Sequence, residues 1–161
     1  MQKITPCLWF DTQAEEAVKF YISVFKNSKI LSITRYGKEG NEIHGMPDGS
    51  VLTVEFELNG QNFLALNGGP VFKLNEAVSF IVNCKDQEEI DYYWNKLSAV
   101  PESEQCGWLK DKFGLSWQIV PDVLSEMLQS KDKKKAGRAM EALLKMGKLD
   151  IGKLKKAYES K

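Results

Sequence analysis

The chain is short of histidine: His44 is the only one in 161 residues. One imidazole cannot supply a His-x-x-x-His pair or the two histidines of a facial triad, so the common zinc and non-haem iron sites have no starting point. His44 stands in a polar stretch between Gly40 and Gly49, where an exposed loop side chain is expected. Cysteine is scarce as well. Cys7, Cys84 and Cys106 are odd in number and lack metal-ligand spacing, which suits a reducing cytoplasm and reads as three small buried hydrophobes. No run approaches the roughly 18–20 apolar residues that span a bilayer. The opening MQKITPCLWF has one lysine and an apolar run broken by Pro6, and it is not read as a signal peptide. A cytoplasmic location is the resulting expectation.

Net charge is also missing, since 22 basic residues balance 22 acidic ones. The balance is uneven along the chain: residues 131–161 hold eleven basic and four acidic residues, so this tail carries +7 and the rest −7. Such a tail raises the question of nucleic acid or a membrane surface. Its lysines surround a helical apolar stripe of Ala136, Ala139, Met140, Leu143 and Leu144, so a solvated helix face is expected and neither partner is.

What is present is a periodic pattern, with 43% apolar residues and therefore material for a core. Residues 4–10 read as a strand. A helix follows with the stripe Ala14, Ala17, Val18, Tyr21, Val24 and Phe25, and with Thr12 and Glu15 at capping-box spacing. Residues 29–36 are rich in β-branched side chains, and 37–50 form a polar loop. Residues 51–58 alternate, with Leu52, Val54, Phe56 and Leu58 on one face and Thr53, Glu55 and Glu57 on the other. Asn59-Gly60 predicts a tight turn into residues 61–66, and Asn67-Gly68-Gly69-Pro70 ends the segment.

The pattern then begins again. Residues 77–84 read as a strand, Asp86 and Glu89 as a second capping box, and Ile90, Tyr93, Trp94 and Leu97 as a helix stripe. Glu15-Glu16 and the aromatics after them recur as Glu88-Glu89 and its aromatics at an offset of 73 residues, which indicates an internal duplication. Strands follow at 106–110 and 115–120, then helices at roughly 122–129, 133–146 and 151–159. Antiparallel strands with one helix per module define an α+β protein. Its parts are a first module at 1–70, a shortened second module at 77–121 and a helical tail at 122–161, all in one structural domain.

Specific motifs carry a resemblance. Cys7-Leu8-Trp9-Phe10-Asp11 with Ala14-Glu15-Glu16-Ala17, Val54-Glu55-Phe56, and Leu64-Ala65-Leu66-Asn67-Gly68-Gly69-Pro70 are similar to the PhnB-like branch of the vicinal oxygen chelate (glyoxalase/bleomycin-resistance/dioxygenase) superfamily. Asp111-Lys112-Phe113-Gly114 resembles the hairpin of that branch, and the tail around Met146-Gly147 resembles a C-terminal extension of some members. The resemblance implies paired β-α-β-β-β modules whose curved sheets enclose a cleft, and a homodimer. Proteins of this branch carry the label 3-demethylubiquinone-9 3-methyltransferase. A methyltransferase using S-adenosylmethionine would show a glycine-rich turn opening a helix, and the one candidate, Gly37-Lys38-Glu39-Gly40, is read as opening none.

The superfamily's metal-dependent members place ligands on the first and last strands of each module. Those positions here are Thr5, Ala65 or Asn67, Ser79 and Gln118, with no carboxylate, imidazole or thiolate among them. No metal and no cofactor are therefore expected. Strand alternation proposes the cleft lining: Thr5, Cys7 and Trp9; Phe63, Ala65 and Asn67; Ser79, Ser116 and Gln118; and Thr53 with Glu55. Trp9 and Trp108 are candidates for stacking on a ligand, and Trp117, opposite Gln118, is assigned to the core. The leading expectation is a metal-independent protein that binds a small organic ligand. The alternative is a metal-free isomerase, lyase or transferase with Glu55 as general base, which requires a desolvated carboxylate.

Overall fold

The structure is a computed structural model and describes residues 3–160. The chain forms two compact units that meet between Leu74 and Asn75. In unit 1, β1 (Cys7–Phe10) leads into α1 (Ala14–Val24), β2 (Lys29–Arg35), the single turn α2 (Asn41–His44), β3 (Val51–Leu58) and β4 (Gln61–Asn67). The sheet order is β1-β4-β3-β2, with β1 parallel to β4 and the other pairs antiparallel. Unit 2 begins with β5 (Ser79–Cys84) and α3 (Gln87–Leu97) and continues through β6 (Trp108–Lys110) and β7 (Ser116–Pro121). Its order is β5-β7-β6, again with the first strand parallel to the last. The duplicated topology is thus present, α+β as expected. Unit 2 is one strand short: where unit 1 has β2, it has a 3-10 turn at Pro101–Ser103.

Each sheet buries one face under its helix. In unit 1, Leu8, Phe10, Val54, Phe56, Phe63 and Ala65 pack against Ala14, Ala17, Val18, Tyr21 and Val24 of α1, all of them buried. The rings of Tyr21, Phe56 and Phe63 stack in series, at 6.5 and 5.3 Å. In unit 2 the same role falls to Cys84, Leu109, Trp117 and Ile119 with Ile90, Trp94 and Leu97 of α3.

The two helices start differently. At α3 the expected box forms: Asp86 accepts from the Glu89 amide at 2.9 Å, and the Glu89 carboxylate accepts from the Lys85 amide at 3.0 Å. The box expected from Thr12 and Glu15 does not form. The N-cap of α1 is Gln13, whose side chain makes no capping bond. The Ala14 amide is satisfied instead by Asn67 Oδ1 at 2.8 Å, from the end of β4. Phe10 and Asn67 are partners in the β1–β4 ladder, which carries that amide to the helix start. Glu15 pairs with Lys19 at 2.7 Å, one helical turn on, and this bond holds its carboxyl below the usual value.

Three helices, α4 (Asp122–Leu128), α5 (Lys133–Leu144) and α6 (Ile151–Glu159), complete unit 2. They share a core of Leu124, Met127, Ala139, Leu143, Leu149 and Leu154. The connection between α5 and α6 is bonded to the rest of the unit. Gln87 of α3 donates to the Leu149 carbonyl at 3.1 Å and accepts from the Ile151 amide at 2.9 Å. The amides of Cys106 and Gly107 donate to the carbonyls of Met146 and Gly147 at 2.7 and 2.8 Å. Gly107 has φ +85°, and a side chain there would press on Leu149 and on the Ile119 carbonyl. Leu149→Ala should accordingly lower the unfolding free energy by about 3 kcal/mol, within the usual range for a buried leucine. Urea denaturation measures it, and a change within error would mean that the tail is not part of the unit's core.

Candidate functional site

The face of each sheet away from its helix is left to do something else. In unit 1 the ladders align Cys7 and Trp9 of β1 with Leu64 and Leu66 of β4, and these with Glu55 and Thr53 of β3. Five of the residues expected on one surface therefore share it or lead onto it: Thr5, exposed just before β1, with Cys7, Trp9, Thr53 and Glu55. Phe63 and Asn67 do not, which corrects the expected lining. They partner Phe56 and Phe10 and lie on the buried face with Ala65. Phe63 is stacked on Phe56, and Asn67 is committed to Ala14, to the Val51 carbonyl at 3.0 Å and, through its own carbonyl, to the Tyr36 hydroxyl at 2.6 Å. The physical reason is the parallel β1–β4 register, which groups Phe63, Ala65 and Asn67 with Leu8 and Phe10 rather than with Cys7 and Trp9.

On that open face Trp9 is fixed by a hydrogen bond from Nε1 to the Gly69 carbonyl at 2.8 Å and by an edge contact to Phe72 at 5.0 Å. Gly68 leaves room for the indole, which a side chain there would strike. Glu55 is exposed and accepts from Ser32 Oγ at 2.9 Å. The Cys7 thiol, although on the surface, is pushed up by partial desolvation, which disfavours the nucleophilic thiolate.

Unit 2 brings its four expected residues onto one face, Ser116 among them. Ser79 of β5, Gln118 of β7 and Trp108 of β6 share the open face, and Gln118 Nε2 donates to Ser79 Oγ at 2.9 Å. Sequence reasoning missed Lys110, which follows Trp108 by two positions and so faces the same way. Its ammonium is ion-paired with Glu76, and that contact holds the Glu76 carboxyl below its usual value. Ser116, between them, is buried, and among the described residues its hydroxyl has no hydrogen-bond partner. Beside this face is a cavity of about 410 Å³ walled by Glu76, Glu102, Ser103, Gln105, Cys106 and Trp108. No sequence signal pointed to Glu76, in the turn before β5, or to Glu102, in the 3-10 turn.

The hairpin between β6 and β7 sets this display. Asp111 is buried, and its carboxylate accepts from the amides of Phe113 and Leu115 and from Trp117 Nε1, at 2.8, 3.0 and 2.9 Å. Pinning Trp117 to the helix face leaves Ser116 and Gln118 on the other.

Among the described residues no three of His, Cys, Asp and Glu gather in a way that could hold an ion. The open face of unit 2 offers hydroxyl, amide and ammonium groups, poor ligands for transition metals. His44 spends both ring nitrogens on backbone: Nδ1 accepts from the Met46 amide at 2.9 Å and Nε2 contacts the Glu39 carbonyl at 3.2 Å. The Gly37–Gly40 stretch does open a helix, contrary to expectation, but α2 has only four residues.

The sequence matches the 3-demethylubiquinone-9 3-methyltransferase family over residues 2–120, ending before α4. Among solved structures, a PhnB protein from Bacillus cereus is 39% identical, covers 74% of this chain and 99% of its own, and superposes with a TM-score of 0.62. Protein PA1353 from Pseudomonas aeruginosa shares the fold at 17% identity and TM-score 0.55, covering 76% of this chain and 100% of its own. A protein from Staphylococcus aureus is 33% identical over 76% of this chain and 98% of its own, with TM-score 0.34. No curated protein matches.

Two substitutions separate the satisfied buried group from the unsatisfied one. Asp111→Asn keeps the size but gives up one acceptor oxygen, and it should cost about 2–3 kcal/mol in urea denaturation. Ser116→Ala removes a hydroxyl without a partner and should leave stability unchanged or raise it. A loss of stability in Ser116→Ala would mean that the hydroxyl is bonded.

Proposed function

Since the chain belongs to the PhnB-like, 3-demethylubiquinone-9 3-methyltransferase family of glyoxalase/bleomycin-resistance-like proteins, we propose that it is a metal-independent binder of a small organic ligand. The observation that carries the reading is the open face of unit 2. There an aromatic side chain (Trp108), a hydroxyl–amide pair (Ser79 and Gln118) and a buried hydroxyl with no partner among the described residues (Ser116) share one face, and Trp108 also lines a cavity of about 410 Å³. A few directed polar groups beside an aromatic side chain that also borders a cavity are features that small-molecule recognition uses. Thr5, Cys7, Trp9 and Thr53 make the corresponding surface of unit 1, with Trp9 held ready by Gly69. Phe63 and Asn67 support it from behind.

The enzymatic alternative needs Glu55 desolvated, and Glu55 is exposed. Nucleic acid is not a proposed partner, and four of the tail's eleven cations are held in ion pairs. Lys135 pairs with Glu159, Lys145 with Glu141, Lys148 with Asp91 and Lys153 with Asp150, and Arg138 donates to the carbonyls of Ala157 and Tyr158. No helix among the described residues is long and apolar enough to cross a membrane. Self-association as a homodimer in the cytoplasm completes the proposal. The edge strand β2, with Leu31 and Ile33 exposed, supports it as a surface open to pairing.

The test is thermal unfolding of chelator-stripped protein with zinc, nickel, iron or manganese, and separately with a panel of flat amphipathic compounds. The metals should give no saturable rise in Tm. At least one organic ligand should give a saturable rise, about 2.7 kcal/mol of stabilisation at a hundredfold excess over Kd, that Trp108→Ala removes. A saturable metal shift would overturn the reading.

A further inference from the structure

Three polar groups form one row across unit 2's open face. Lys110 of β6 and Ser79 of β5 are both direct partners of Ser116 on the central strand β7. Strand spacing sets them about 4.8 Å apart, side by side. Each has something left to give. The Ser116 hydroxyl has no partner among the described residues. Ser79 accepts from Gln118 and keeps its own proton to donate. The Lys110 side chain is only 23% exposed, so its ammonium needs a counter-charge close by.

The present counter-charge is of a replaceable kind. Glu76 is 57% exposed and belongs to residues 75–78, an exposed stretch outside any strand or helix. Glu76 also lines the cavity whose wall includes Trp108. A carboxylate is therefore already seated on Lys110, carried by an exposed segment outside any strand or helix.

We propose that Glu76 is a resident stand-in and that the ligand is a flat monocarboxylate, whose carboxylate replaces Glu76 on Lys110 and accepts from the hydroxyls of Ser116 and Ser79 while its body lies against Trp108. This deepens the small-molecule reading and rests on it. The wall also sets the limit of charge. Glu102 lines the cavity with no cation paired to it among the described residues, and Glu76 stays in the wall after release. A second negative charge on the ligand meets both, so dicarboxylates are disfavoured.

Isothermal titration of the full chain with benzoate, benzamide and terephthalate tests this. Benzoate should bind, with benzamide and terephthalate about tenfold weaker or more, the usual scale for losing or opposing one charge-assisted bond. Glu76→Gln removes the internal competitor and should tighten benzoate by about tenfold. Lys110→Met should abolish benzoate binding and Lys110→Arg should retain it, with thermal unfolding confirming that each variant is folded. Equal binding of benzoate and benzamide, or no tightening in Glu76→Gln, would overturn the carboxylate inference and leave the small-molecule reading standing. Failure of all three probes on both the wild type and Glu76→Gln would also overturn it, and the Trp108→Ala thermal shift then decides the broader reading independently.

Discussion

The buried carboxylate of Asp111 is the interaction on which unit 2 depends. A charge in that position is tolerable because three N–H groups surround it: two amides of its own hairpin and the indole of Trp117. The two amides fix the turn, and the indole fixes which residue of β7 points to the helix. Since alternation is strict, that choice assigns every other side chain of the strand. A slip of one residue would bury Gln118 and expose Trp117. The polar row of Lys110, Ser116 and Ser79 thus exists because Asp111 holds Trp117 on the far side.

Unit 1 solves the same problem with an amide. Asn67 sits at the end of the last strand, is buried, and bonds the start of α1 and the backbone of β3. In each unit one polar side chain inside the helix-covered half does the aligning, Asn67 between segments distant in sequence and Asp111 within one hairpin, and the polar and aromatic groups useful for recognition collect on the opposite face. The cysteines follow the same division. Cys84, on the helix-covered face, has its thiol pushed up to about 12 by burial and nearby carboxylates, so it is chemically inert.

Much of this was legible in the sequence, and the failures have one cause. Strand and helix order came from alternation and from a 3.6-residue stripe, and the Asn59-Gly60 turn and the Asp86–Glu89 box came from local chemistry. What local chemistry does not contain is the partner across the sheet. Thr12 and Glu15 have capping-box spacing, but the cap comes from Asn67, 53 residues further on. Phe63 and Asn67 were placed with Cys7 and Trp9, although the apolar alternation of Leu8 and Phe10 already matched that of Phe63 and Ala65. Glu76 escaped because its role depends on Lys110, and neither residue marks the other in the sequence.

The assignment of faces is the central claim, and indole hydrogen exchange read by NMR tests it most directly. Trp117 Nε1 is bonded to the buried Asp111 and should exchange only on global unfolding, whereas Trp108 Nε1, on the open face, should exchange orders of magnitude faster. Comparable rates for the two indoles, or slower exchange at Trp108, would contradict the register of β7 and with it the site built on that strand.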